Sequence, residues 1–246
     1  MVSTAKELYK NAPEGQYNKW YFDELVSPRE ETIYKEAQEQ YYAPQKPWEF
    51  NPKKTVLLII DLQNDFCDPE KGKFWLPGNT KMMPRMKKLL EYCRSRGIMT
   101  IFTAHQSHPS GRDLGLMHAY LPPLETSLIE GDDGVKIWHE IEPRSDEWVI
   151  NHKRRYDSFW ETGLDDVLRT RESDTIILTG CCTNYCSSTT CRSGMQRGYK
   201  IAFLSDCNAS DDPAVHEEVC KTMNRGFARV MSTEQCIAEL EAKHNI

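Results

Sequence analysis

Apolar residues along the chain fall into two patterns: short continuous runs, and longer segments where they recur every three or four positions. The runs are typical of strands buried on both faces of a parallel sheet, and the recurring positions predict amphipathic helices. Six strands are predicted: TVLLIID (55–61), IMTIFTA (98–104), EWVIN (147–151), TIILTG (175–180), YKIAFLSD (199–206) and ARVMST (228–233). The predicted helices cover about 81–96, 134–141, 163–171, 184–199, 214–227 and 233–243.

Strands that alternate with helices imply a three-layer α/β fold: a six-stranded, mostly parallel, Rossmann-like sheet between two layers of helices. Ligands of such sheets bind at the carboxyl ends of the strands, near the point where the strand order reverses. We assign residues 51–246 to this domain and residues 1–50 to an N-terminal extension. The extension contains six Tyr and two Trp. So much aromatic surface favours packing on the core or on a neighbouring subunit, with a helix at about 28–40.

The composition narrows the class of protein. A chain of 246 residues with a formal net charge of −6 suits one domain with an extension, and it argues against nucleic acid or an anionic membrane as partner. No apolar run approaches the roughly 18–20 residues of a membrane span. The first twenty residues lack an apolar signal core, and nine cysteines without paired CxxC spacing indicate reduced thiols. We therefore expect a cytoplasmic protein.

Three residues with side chains that can take part in catalysis lie where predicted strands end: Asp61, Lys153 and Cys186. The carboxyl ends of parallel strands meet at one edge of a sheet, so these side chains are expected to converge. Cys186 also lies in the first turn of a predicted helix, whose positive end favours a thiolate near neutral pH. Each residue alone has an ordinary explanation, as a loop cap, a solvated basic face and a core filler.

Three separated motifs, taken in order, resemble the isochorismatase-like cysteine hydrolase superfamily. They are DLQNDF (61–66), KRRYDSF (153–159) and GCCTNYC (180–186), and the resemblance extends over about 54–240. The amidohydrolases of that superfamily include N-carbamoylsarcosine amidase, ureidoacrylate amidase, biuret hydrolase and nicotinamidases. The resemblance implies their fold for this chain.

The resemblance also implies roles for individual residues. Asp61 corresponds to the general base, Lys153 to the supporting cation and Cys186 to the nucleophile. A cis peptide bond is implied between Cys181 and Cys182. The backbone N–H groups of Cys182 and Cys186 would then form an oxyanion hole.

The sequence departs from the nicotinamidases after the second strand. Those relatives carry an Asp-x-His…His metal set, whereas Thr103 here replaces the aspartate and only His105 and His108 remain. Two histidines without an acid favour polar lining of the pocket over metal binding. We therefore expect no metal and no cofactor. Relatives that hydrolyse a vinyl ether commonly lack a cysteine matching Cys186, so its presence favours amide cleavage.

The predicted substrate-binding residues combine aromatic walls with polar contacts. They are Phe66, His105, Arg112, Tyr156, Phe159, Tyr185 and Asn208. An aromatic residue near a strand end is equally often core packing, and Asn208 also suits the region before a helix N-cap.

We predict a cysteine-dependent amidohydrolase that cleaves a C–N bond of a small linear amide, a carbamoyl or ureido compound, through a thioester with release of ammonia. It is expected to form a homo-oligomer, a dimer or a tetramer, and to bind a small-molecule amide or ureide, with no nucleic acid and no membrane as partner. One alternative is a nicotinamidase-like, metal-assisted amidase. Another, of a different class, is a non-catalytic thiol protein that uses this fold for binding or redox sensing.

Overall fold

The computed structural model describes residues 48–244. The helix predicted at 28–40 and the packing predicted for the extension lie outside the described residues, except at 48–50. There Phe50 is buried in the core, and the guanidinium of Arg229 lies 4.9 Å from the ring centroid of Trp48.

All six strands pair in parallel, in the spatial order β3-β2-β1-β4-β5-β6. They are β1 Thr55–Ile60, β2 Met99–His105, β3 Trp148–Lys153, β4 Thr175–Cys181, β5 Lys200–Ala209 and β6 Arg229–Met231. The predicted six-stranded sheet is thus confirmed. Its order reverses between β1 and β4, which makes their carboxyl ends the switch point where ligands of such sheets bind.

Seven α-helices lie within residues 48–244. They are α1 Asn64–Cys67, α2 Pro77–Ser95, α3 Met117–Tyr120, α4 Leu164–Thr170, α5 Ser188–Gln196, α6 Pro213–Gly226 and α7 Thr233–His244. Side chains of α2 and α7 share one buried cluster with Leu57 and Ile59 of β1. Side chains of α4, α5 and α6 share the other cluster with Val56, Leu58 and Ile60. This alternation along β1 produces the predicted three layers. No helix among the described residues is long and apolar enough to cross a membrane.

The helix predicted at 134–141 does not form, and two short 3₁₀ turns, Asp133–Val135 and His139–Ile141, replace it. Its backbone is bonded elsewhere. The Lys136 carbonyl accepts the N–H of Asn64, and the Trp138 N–H donates to the carbonyl of Leu62. Because these groups pair with the chain after β1, they are not available for a helix.

Helix α2 begins at Pro77, four residues earlier than the sequence pattern predicts. Proline suits the first turn of a helix because its fixed φ is helical and its missing N–H is not needed there.

A register shift between β2 and β3 places the last residue of β3 in the site. Thr103 pairs with Ile150 and His105 pairs with Lys153, so β3 contains one extra residue over this stretch. Ile150 and Lys153 are therefore both buried, three positions apart, although strict alternation would turn them to opposite faces.

Candidate active site

Asp61 leaves β1 in a left-handed conformation, with φ 51°. Its N–H donates to the Thr103 carbonyl of the neighbouring strand at 3.1 Å. On the other side of β1, Gly180 has φ 122°, and a Cβ there would collide with the backbone of Ile60. Only glycine therefore lets β4 approach β1 this closely, beside Asp61.

Asp61, Lys153 and Cys186 meet at this edge. The Nζ of Lys153 lies 2.6 Å from Oδ2 of Asp61 and 3.4 Å from Sγ of Cys186. Asp61 and Lys153 are fully buried, and Cys186 is 6% exposed. The sequence prediction that these three side chains converge is therefore correct.

The charge states follow from burial and from these contacts. Burial alone would raise the pKa of Asp61, but the Lys153 charge and the hydrogen bonds to the carboxylate lower it below its usual range. Burial would lower the pKa of Lys153, yet Asp61 raises it above its usual range. The resting pair is therefore a carboxylate and an ammonium.

Cys186 lies in a π-helical turn, Thr183–Ser187, that immediately precedes α5. Burial raises the pKa of its thiol well above the ordinary value, although the ammonium of Lys153 acts in the opposite direction. The prediction of a thiolate, made from the helix position, is thus wrong for the resting site. Burial raises the pKa of the thiol more than the positive end of the helix lowers it.

A model of the isochorismatase domain matches residues 55–235 of the sequence. The chain belongs to the isochorismatase family. A cysteine hydrolase from Pseudomonas syringae pv. phaseolicola 1448A has a solved structure that is 31% identical, with a TM-score of 0.77 over 82% of this chain and 99% of that one. This isochorismatase-family chain is accordingly a hydrolase with an α/β fold.

Two relatives carry names that specify amide substrates. The ureidoacrylate amidohydrolase RutB of Caulobacter vibrioides is 27% identical over 191 residues, which are 68% of this chain and 82% of the relative. Nicotinamidase 3 of Arabidopsis thaliana is 26% identical over 188 residues, which are 75% of this chain and 88% of the relative. Amide hydrolysis therefore recurs among proteins similar to this isochorismatase-family chain.

Two of the predicted aromatic residues lie together beside the thiol. The ring centroids of Tyr156 and Tyr185 are 5.3 Å apart. Tyr156 packs against the buried cluster that contains Cys186, and burial together with Cys186 raises the pKa of Tyr156. Both rings are half-buried and tilted by 36° to each other, so part of each ring remains exposed.

The other two predicted aromatics serve as core packing. Phe159 stacks on Tyr199, 5.7 Å between centroids, and Tyr199 directly precedes β5 at the amino end of the sheet. Phe66 is buried with its ring 5.8 Å from that of Phe74, in the cluster beneath α2. The prediction that Phe159 lines the pocket is therefore wrong, because its ring packs toward the amino end of the sheet. The contacts of Phe66 do not test its predicted place in the pocket wall, which stays a prediction.

Among the predicted polar contacts, His105 lies at the site. It is buried at the end of β2, and burial together with Lys153 lowers its pKa to about 3, so the ring is neutral. Its Nδ1 is buried without a hydrogen-bond partner. His108 bonds instead to Ser110 in the following loop. Within residues 48–244, no three His, Cys, Asp or Glu side chains group together as metal ligands.

The other two predicted polar contacts, Asn208 and Arg112, lie in different surroundings, and their contact with a substrate stays a prediction. Asn208 is buried in β5, and its amide donates to the carbonyls of Leu178 and Leu204, where the register between β4 and β5 shifts. Both amide hydrogens are used within the sheet, whereas the side-chain oxygen Oδ1 is buried without a hydrogen-bond partner. Arg112 is exposed on the loop after β2.

Sequence reasoning missed three buried residues that brace the site. Gln63 exchanges two hydrogen bonds with the backbone of His105. Thr103 donates its hydroxyl to Oδ1 of Asp61 at 2.6 Å. Cys181 donates its thiol to the Asp61 carbonyl at 3.2 Å, in addition to forming the cis peptide bond with Cys182 that the resemblance implies. Thr103 pairs with Ile60 of the neighbouring strand, next to Asp61. Predicting this neighbour needs the register between β1 and β2, which the pattern of strands alone does not give.

Proposed function

We propose that this chain is a cysteine-dependent amidohydrolase that cleaves the C–N bond of a small carbamoyl or ureido compound. The observation that carries the proposal is the buried ammonium of Lys153, which contacts both the carboxylate of Asp61 and the sulfur of Cys186. A base, a cation and a thiol in mutual contact are what nucleophilic acyl transfer requires.

In the first half-reaction, Asp61 takes the thiol proton of Cys186 as the sulfur attacks the substrate carbonyl. Because the pKa of the thiol is raised and that of the carboxyl is lowered, proton transfer is coupled to the attack and no thiolate is stored beforehand. The N–H groups of Cys182 and Cys186 bind the developing oxyanion. The C–N bond then breaks, Asp61 returns the proton to the leaving nitrogen, and a thioester remains.

In the second half-reaction, Asp61 removes a proton from water, which attacks the thioester carbonyl. Collapse of that intermediate breaks the C–S bond, and the proton returns to the sulfur of Cys186. Lys153 stays protonated throughout. It keeps Asp61 ionised between steps and stabilises the anionic intermediates.

The ureide class is supported by the neutral groups near the thiol. The partly exposed rings of Tyr156 and Tyr185 offer aromatic surface to a flat ligand, and the unpartnered Nδ1 of His105 offers one polar contact. A site with buried polar groups discriminates against substrate analogues that lack the matching hydrogen-bonding groups, because the polar groups of the site are then left unpaired. The similarity to a ureidoacrylate amidohydrolase points the same way.

A nicotinamidase-like reaction is the second candidate, favoured by the similarity to Nicotinamidase 3 and by His105. Thr103 weighs against its metal-assisted form, because a hydroxyl that donates to Asp61 is a poor replacement for an acidic ligand.

Steady-state ammonia release from a panel of amides separates these candidates. We expect biuret, ureidoacrylate or N-carbamoyl amino acids to have kcat/KM well above nicotinamide and pyrazinamide, and urea to be poor. Treatment with EDTA or phenanthroline should leave the rate unchanged. Nicotinamide as the best substrate, with activity lost to chelators and restored by zinc or iron, would establish the second candidate instead.

We also propose that the enzyme acts as a cytoplasmic homo-oligomer. All nine cysteines are unpaired thiols, as in a reducing compartment. Leu116 and Tyr120 are 76% and 80% exposed, which is unusual for large apolar side chains on one short helix and its cap. Light scattering of the full chain tests the assembly, and a monomeric mass would contradict it.

A further inference from the structure

The carboxylate of Asp61 has one charged and one neutral donor. Lys153 bonds to Oδ2, and the hydroxyl of Thr103 bonds to Oδ1, each at 2.6 Å. All three side chains are fully buried. Lys153 keeps Asp61 ionised in the proposed reaction, whereas the hydroxyl of Thr103 has no role in the steps proposed so far.

Thr103 holds both the backbone and the side chain of Asp61. The Asp61 N–H lies 3.1 Å from the Thr103 carbonyl and 3.3 Å from its hydroxyl oxygen, which in turn donates to Oδ1. Asp61 needs such support, because its φ of 51° lies in a region that few non-glycine residues occupy. The two residues are adjacent because Ile60 pairs with Thr103 between β1 and β2.

We propose that Thr103 is a positioning residue of the amidohydrolase, and that its hydroxyl makes Oδ2 of Asp61 the atom that takes the thiol proton. With Oδ1 bonded to Thr103, the carboxylate cannot rotate about its χ2 angle without breaking that bond. Oδ2 then stays on the side where Lys153 also contacts the sulfur of Cys186. The inference rests on the proposed function.

The hydroxyl also favours the charged form of Asp61. A donor to a carboxylate stabilises the anion, and a hydrogen bond to a charged group corresponds to a shift of about one to two pKa units. Without the hydroxyl, the pKa of Asp61 is expected to rise and the carboxylate to lose its fixed orientation.

Thr103→Val tests this with almost no change in volume. We expect kcat to fall about tenfold to a hundredfold with a much smaller change in KM, and the acid limb of the kcat/KM profile to move up by about one to two pH units. Thr103→Ser, which restores the hydroxyl, should return the limb to its original position. Thr103→Cys introduces a thiol, which is a weaker donor than a hydroxyl, so the acid limb should move by less than in Thr103→Val. This variant also provides a test if the valine variant does not fold.

Thr179→Val is the matched control. Thr179 is equally buried on β4, which pairs with β1 on the side opposite to β2. Its hydroxyl donates to the backbone carbonyl of Leu58 at 3.0 Å. This variant should lose stability to a similar degree while its acid limb stays in place.

Alkylation of Cys186 by iodoacetamide, followed against pH, gives a second readout that needs no substrate. The acid limb of the alkylation rate should move in Thr103→Val as the kcat/KM limb does. An unmoved limb in both Thr103→Val and Thr103→Cys, or a serine variant as poor as valine, would overturn the proposal for Thr103. Failure of the wild-type enzyme to release ammonia from any amide would instead overturn the proposed function, with the alkylation profile still deciding the role of Thr103.

Discussion

Two ion pairs lie at opposite ends of β3 and differ in the contacts that they make beyond the pair itself. At the amino end, Arg94 of α2 binds Glu147, the residue before the strand, through contacts of 2.7 and 2.8 Å. At the carboxyl end, Lys153 binds Asp61. The first pair is about 10% exposed and the second is fully buried.

The hydrogen bonds of the Arg94–Glu147 pair hold structural elements together. Both carboxylate oxygens accept from the guanidinium, and one also accepts the N–H of Arg144. The guanidinium further bonds to the carbonyl of Glu142. Such a planar, two-pronged pair fixes α2 against the start of β3 and offers nothing to a ligand.

The Lys153–Asp61 pair keeps a third contact, to the sulfur of Cys186. A fully buried pair is a poor device for stability, because desolvation of two charges offsets most of their attraction. Its retention next to a thiol is therefore better explained by chemistry than by folding. Each pair can be altered by matched substitutions, so the two roles can be separated by experiment.

The largest effect is expected for the sulfur itself. Cys186→Ala should reduce ammonia release by about 10⁴-fold or more, since the proposed thioester forms on this sulfur. Cys191→Ala, at a buried position on α5, is the control and should retain most of the activity. Peptide mapping after iodoacetamide treatment gives an independent check, and loss of activity in step with labelling of another cysteine would contradict the assignment.

Matched amide substitutions of the two carboxylates come next. Asp61→Asn removes the proton acceptor and should lower kcat by about 10²–10⁴-fold. Glu147→Gln should leave kcat unchanged at a temperature well below unfolding. Near wild-type kcat for Asp61→Asn, with its circular dichroism unchanged, would remove Asp61 from the mechanism.

Substitution of the two cations separates activity from stability. Lys153→Met leaves Asp61 buried without its cation, and removing one partner of a buried pair costs about 3–5 kcal/mol. Arg94→Met should cost about 1–3 kcal/mol, because the remaining Glu147 still reaches water and the Arg144 N–H. Urea unfolding measures both, and kcat should fall only in Lys153→Met. Equal kcat in the two variants would contradict the functional distinction between the pairs.

The strand ends that precede Asp61 and Cys186 were predictable, because the buried runs of β1 and β4 identify strands from local sequence alone. β3, which ends at Lys153, is only partly buried and gives a weaker signal. The 3₁₀ turns at 133–141 were not, since hydrogen bonds to residues 62–64 replace the helix there. Asn208 was expected after β5, and a register shift draws it into the strand. The resting protonation of the thiol depends on burial, which no local motif encodes.

The pH profile should show a broad plateau. The pKa of Asp61 is lowered and that of the Cys186 thiol is raised, so the reactive combination of carboxylate and neutral thiol persists between them. We expect kcat/KM to stay level from about pH 8 down through the range in which an ordinary Asp titrates, and to fall only below that range. The Asp61 contribution to stability should disappear over the same acid range, because a lowered folded pKa loses its benefit as the group protonates. An acid limb near pH 6 would contradict the charge state assigned to Asp61.

The smallest effect is expected for Cys181, whose thiol approaches Asp61 only through the backbone carbonyl. A thiol is a weak donor, and this carbonyl also accepts the N–H of Gln63 at 2.9 Å, so Cys181→Ala leaves it with a partner. We expect a loss of kcat within a few-fold and a stability cost of about 1 kcal/mol from the small cavity. Cys181→Ser, which restores a donor but places a hydroxyl among apolar side chains, serves as the comparison. A loss as large as that of Asp61→Asn would show that the conformation of Asp61 depends on the Cys181 thiol, and so on more than its bonds to Thr103.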